Sequence, residues 1–96
     1  MPSFVLIGHD VSESAELRKR YRPAHLGGIE GLEAAGRIHF AGPMLDAEGQ
    51  PLGSIILFEA RDLEDARGIA ARDPYVCEGV FERHEVREVR QVLPRT

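Results

Sequence analysis

Two short stretches, Ser3–His9 and Ser54–Ala60, are apolar on both faces of the strands they would form. In the first, Phe4, Leu6 and Gly8 point one way and Val5, Ile7 and His9 the other. In the second, Ile56 and Phe58 oppose Ile55 and Leu57. Strands of this kind need cover on both sides. The chain has 96 residues and two segments of helical pattern, so its own helices can cover one sheet face only. The second face therefore requires a partner, and a homodimer packed sheet against sheet is the simplest solution.

The remaining elements follow from punctuation and periodicity. After the first strand, Ser12 or Ser14 can cap a helix that runs toward Ala35, with Leu26, Ile29 and Leu32 as a core-facing stripe. Pro23 lacks a backbone donor and should kink or restart that helix, and Arg22 before it is biased away from helical geometry. Gly36 supplies the stop. Arg37–Leu45 reads as a second strand with Ile38 and Phe40 on one face, and Asp46–Gly53 as a hairpin loop. Asp62 can cap a second helix whose stripe is Leu63, Ala66, Ile69 and Ala70, and Asp73-Pro74 stops it. A last strand runs from Gly79 to about Val92, its valines breaking strict alternation as a bulge would. The order is βαββαβ. With right-handed crossovers it gives a ferredoxin-like α+β fold, an antiparallel sheet with both helices on one face. Residues 1–96 are expected to form one such domain.

Composition narrows the function classes. A hydrophobic fraction of 43% with 29% charged residues excludes disorder and collagen-like structure. No apolar stretch approaches the roughly 18 residues that span a bilayer, and no secretory signal pattern opens the chain, so no membrane partner is expected. A single cysteine, Cys77, fits a reducing, cytoplasmic setting. A net charge of −4 argues against nucleic acid as a partner.

Several motifs then fall in a telling order. They are Arg22-Pro-Ala-His25-Leu26, Ala41-Gly42-Pro43, Gly53-Ser54, Asp73-Pro74-Tyr75-Val76 and Gly79-Val80-Phe81. In order and spacing this set resembles the YciI-related (YCII domain) family, a branch of the dimeric α+β-barrel superfamily, from the first strand to about Val89. The resemblance implies a ferredoxin-like dimer with a pocket between helices and sheet that holds a histidine–aspartate pair, here His25 and Asp73. Some relatives are small-molecule enzymes, including a dehydrochlorinase of chlorinated hydroxyquinols, with muconolactone isomerase more distant.

The residues themselves admit two readings. An imidazole exchanges protons near neutral pH, and an aspartate on one ring nitrogen fixes its tautomer, so His25 and Asp73 suit acid/base catalysis. The same pair could instead be a structural hydrogen bond between helices. An unbroken helix would put Arg18, Arg22 and His25 on one face, an arrangement that Pro23 weakens; Arg22 could clamp a carboxylate or phenolate or be a solvated side chain, while Arg18 in its basic run reads as a solvated side chain. Ser54 could donate to a substrate oxygen or pair with His25, and Tyr75 could close the pocket or lend a phenol. Asp46 reads as a turn carboxylate and Cys77 as buried filler. His9, His39 and His84 form no local ligand pair, so no metal is expected, and no phosphate-binding glycine loop is present.

The expectation is thus a small cytoplasmic enzyme without a cofactor. It would use a His25–Asp73 dyad for elimination, isomerisation or dehalogenation of a small polar or aromatic anionic substrate. The alternatives are a non-catalytic metabolite-binding module and a dimeric assembly module.

Overall fold

The computed structural model describes residues 1–95. Its elements are β1 (Ser3–Asp10), α1 (Ala15–Ala34), β2 (Ile38–Leu45), β3 (Pro51–Glu59), α2 (Leu63–Arg72), α3 (Pro74–Cys77) and β4 (Phe81–Val89). The strands form one antiparallel sheet in the order β2-β3-β1-β4, the ferredoxin-like topology. The one element absent from the sequence reading is α3, a single turn that begins at Pro74.

Burial separates the two sheet faces. Phe4, Leu6, Ile56 and Phe58 are buried and pack with Ala66 and Ala70 of α2. Val5 and Ile7 of β1 pair with Leu57 and Ile55 of β3 on the opposite face, where they are only half-buried. Two central strands thus present hydrocarbon on the face that no helix covers.

Five local expectations are corrected, the first being the core-facing stripe of α1: Leu26 is 40% exposed, and only Ile29 and Leu32 turn partly inward. α1 runs without interruption from Ala15 to Ala34 through Arg22 and Pro23. Proline removes one donor, and the hydrogen-bonded turns on either side carry the helix across that gap. Ser14 occupies the cap position, yet its hydroxyl makes no cap bond and donates instead to Asp10 Oδ2. In β2 the register shifts at His39, so Ile38 pairs with Phe58 on the core side while Phe40 pairs with Leu57 on the other and is 54% exposed. Such a bulge is invisible to simple alternation. The hairpin loop is also shorter than expected: β3 already starts at Pro51, so Gly53 and Ser54 lie within the strand, opposite Met44 and Pro43.

Other punctuation behaves as expected. Gly36 has φ +73° and its N–H bonds to Glu33 O, while Arg37 N–H reaches Leu32 O, a helix end that needs a left-handed residue. Asp62 caps α2 through Asp65 N–H at 2.8 Å. Asp46 accepts from Glu48 and Gln50 backbone N–H groups and so holds the β2–β3 turn. The last strand is an exception: it is Phe81–Val89 and not Gly79 to Val92, so Val92 lies beyond its end, and its pairing with β1 shifts register between His9 and Asp10.

Candidate active site

Asp73 is positioned by the local sequence. As the residue before a proline it is disfavoured in helical geometry and adopts φ −66°, ψ 126°, which ends α2. Pro74 then starts α3, with Asp73 as its N-cap. Asp73 Oδ1 accepts the Tyr75 backbone N–H at 2.9 Å, and this bond aims the carboxylate. The same oxygen lies 2.7 Å from His25 Nδ1 on α1. A carboxylate only accepts, so Nδ1 carries the hydrogen and donates it. The neutral ring then keeps its lone pair on Nε2. No described group bonds Nε2, and no buried side-chain nitrogen or oxygen among the described residues lacks a partner, so Nε2 retains access to solvent.

The imidazole is also held from its face. It stacks on the Tyr75 ring with centroids 3.9 Å apart and planes within 1° of parallel. Phe81 meets Tyr75 edge-on at 5.8 Å and 82°. Behind Phe81 stands Gly8, where a side-chain carbon would collide with the phenyl ring. The Tyr75 hydroxyl donates to Arg18 O at 3.2 Å, so the phenol serves to anchor α1. Burial raises the Tyr75 pKa above the usual tyrosine range, although Arg18 and Arg22 pull it the other way.

Arg18 departs most from its expected role as a solvated side chain. Its side chain is 12% exposed, and its Nε and one terminal nitrogen grip Asp10 at 2.6 and 3.0 Å. That same nitrogen donates to Gly53 O at 2.8 Å and Ser54 Oγ at 2.9 Å, and the guanidinium carbon lies 5.1 Å from the Tyr75 ring centre. Ser54 is buried and bonded to Arg18, with no bond to His25. Arg22 is exposed and unengaged by any described acidic group. Cys77 is exposed, contrary to the expectation of buried filler, and no described cluster of histidine, cysteine and carboxylate residues could hold a metal ion.

Asp10 was the site residue that sequence reading missed. The signal was present: positions 4, 6 and 8 face the core, and the same alternation places residue 10 there too. Arg18 precedes His25 by two helical turns on one stripe, which favours a shared environment over solvent.

These groups border an open cleft of about 720 Å³ between α1 and the β2–β3 edge. Arg18, Arg22 and His25 line it from the helix, Gly42, Pro43 and Ser54 from the strands, and Tyr75 from α3. An imidazole with a free nitrogen, an exposed guanidinium and a buried hydroxyl thus face one space. Such a set can move a proton and hold an anion.

Fold and site together define a ferredoxin-like α+β domain of the dimeric α+β-barrel class with a His–Asp pair at a cleft wall. Residues 3–90 match the YCII-related domain, and the chain belongs to that family. It is 35% identical to the protein YciI of Escherichia coli over 94% of this chain and 98% of that one. It is 30% identical, over the same shares, to an uncharacterized protein of Haemophilus influenzae. Among solved structures it resembles 5-chloro-2-hydroxyhydroquinone dehydrochlorinase (TftG) from Burkholderia phenoliruptrix in complex with 2,5-dihydroxybenzoquinone. That match has a TM-score of 0.82 at 26% identity and covers 92% of this chain and 93% of that one.

Proposed function

We propose that this protein is an enzyme of cofactor-independent acid/base chemistry acting on a small hydroxylated ring, with His25 as the proton-transferring group. The observation that carries this reading is the 2.7 Å His25–Asp73 bond, which leaves Nε2 free at a cleft wall. Similarity to a dehydrochlorinase supports the substrate class. In the reaction envisaged, Nε2 removes a proton from a ring hydroxyl. The electron pair left behind moves into the ring, the imidazolium returns its proton to the ring carbon that bears the leaving group, and, as Nε2 takes a second hydroxyl proton, a leaving group such as chloride departs from that now tetrahedral carbon with its bonding pair. Asp73 stabilises the imidazolium that forms. Arg22 and the Ser54 hydroxyl bind the developing oxyanion, and Tyr75 supports the imidazole from its face.

The test is chloride release from 5-chloro-2-hydroxyhydroquinone by wild type, His25→Ala and Asp73→Asn. His25→Ala is expected to lose about 10²-fold or more, the usual contribution of a single positioned acid/base. Equal rates in wild type and His25→Ala would overturn the assignment. Saturable binding of 2,5-dihydroxybenzoquinone without turnover of any chlorinated or lactone homologue would establish a binding module instead.

The protein acts as a homodimer in this reading, joined through the uncovered sheet face. Support comes from the half-buried Val5, Ile7, Ile55 and Leu57 on the two central strands.

A further inference from the structure

A second cavity of about 180 Å³ lies between α1, α2 and the sheet. His25, Ile29 and Ile56 line both this cavity and the open cleft, so the two spaces adjoin along these three side chains. Leu6, Leu32, Phe58 and Ile69 supply its apolar walls. Its polar groups are Arg72, exposed to solvent, and His25 and Asp73, which are already bonded to each other. Its rim at Gly28 and Arg72 is exposed and opens to solvent, while its apolar floor offers water few free polar partners. A closed aliphatic cavity of about 150 Å³ admits benzene, and this open-mouthed space has room for a group of that size.

α1 helps to create the space by leaving out a side chain. Gly28 lines the cavity, and a side-chain carbon built there would meet nothing within 4 Å.

We infer that this cavity is an apolar subsite of the binding site, which takes a short alkyl arm or a benzene-sized group carried on a ligand whose polar ring stands against His25 in the cleft. The inference rests on the proposed role of the cleft, and it narrows the substrate class to alkyl- or aryl-substituted hydroxylated rings. Each buried methylene is worth about fourfold in affinity. A propyl arm fully housed would therefore tighten binding by about 60-fold over the bare ring.

Two measurements test this, and they separate the cavity from the cleft. In the first, benzene is titrated into methyl-labelled protein and followed by NMR. Shifts concentrated on the methyls of Leu6, Ile29, Leu32, Ile56 and Ile69 are expected, and Gly28→Leu, which fills the space, should abolish them. Gly28→Ala, a smaller filling, should weaken them, and the amide spectrum of each variant reports its folding. Absence of these shifts in the wild type, or their persistence in a folded Gly28→Leu, would overturn the subsite. In the second, calorimetry compares 2,5-dihydroxybenzoquinone with its 3-propyl derivative. The propyl compound should bind at least tenfold tighter in wild type, with the ratio falling toward one in Gly28→Leu. A ratio near one in the wild type would overturn the link between cavity and cleft. If benzene binds as expected and neither quinone does, the hydroxylated-ring reading of the cleft falls and the cavity stands as an apolar site.

Discussion

Arg18 and Arg22 sit one helical turn apart and have opposite fates. From sequence Arg18 reads as the solvated side chain of the two, the reverse of its burial. Burial decides the matter: Asp10, 3% exposed, waits at the end of β1 for the side chain nearer to it. Removing one partner of such a pair strands the other, which typically costs about 3–5 kcal/mol. Asp10→Ala is therefore expected to lower stability by about that amount in urea unfolding, and adding Arg18→Met should recover part of the loss. Tyr75 makes a prediction about alkaline pH. Burial raises its pKa, so the unfolded chain releases the phenolic proton first. The stabilisation is complete below the ordinary tyrosine value of about 10 and is lost as pH rises through the raised one. Denaturant midpoints measured between pH 9 and 11 should fall in wild type, and Tyr75→Phe should lack that component of the fall.

At the scale of elements, punctuation was the most legible part of the chain. Asp62, Gly36 and Asp73-Pro74 each act through backbone preferences that operate within a few residues, so no tertiary knowledge was needed to place them. The features that escaped depend on distant partners. Pro23 passes within one helix because the turns on either side of it keep their own hydrogen bonds, and Ser14 forgoes its cap bond for Asp10, four residues earlier and on another element. The bulge at His39 arises from strand pairing, which alternation in β2 alone does not encode. The candidate site divides in the same way: His25 and Asp73 belong to recognisable motifs, whereas the Asp10–Arg18–Ser54 cluster is assembled from three elements. α1 also bears a measurable weakness in its second half. Gly31 is helical and a side-chain carbon there would meet nothing within 4 Å. Gly31→Ala is expected to stabilise the protein by about 0.5–1 kcal/mol, read as a higher denaturant midpoint with an unchanged slope.

For the molecule as a whole, the apolar character of both faces of β1 and β3 carries the most weight. One face becomes the core, and the other remains as hydrocarbon in search of cover. Sedimentation of the wild type should give about twice the 10.6 kDa chain mass, and Leu57→Lys on the uncovered face should shift it toward one. A wild type that stays at a single chain mass at all concentrations would exclude the dimer. The proposed chemistry sits on the opposite face, so its rate in each chain and the association of chains can be varied separately. Asp73 gives the site a further kind of independence. Its carboxylate keeps one donor, the Tyr75 backbone N–H, when no imidazole is present. A residue written in at position 25 that can also donate would restore the second bond to the acid opposite it, which makes the cleft a socket for installing other functional groups by directed evolution.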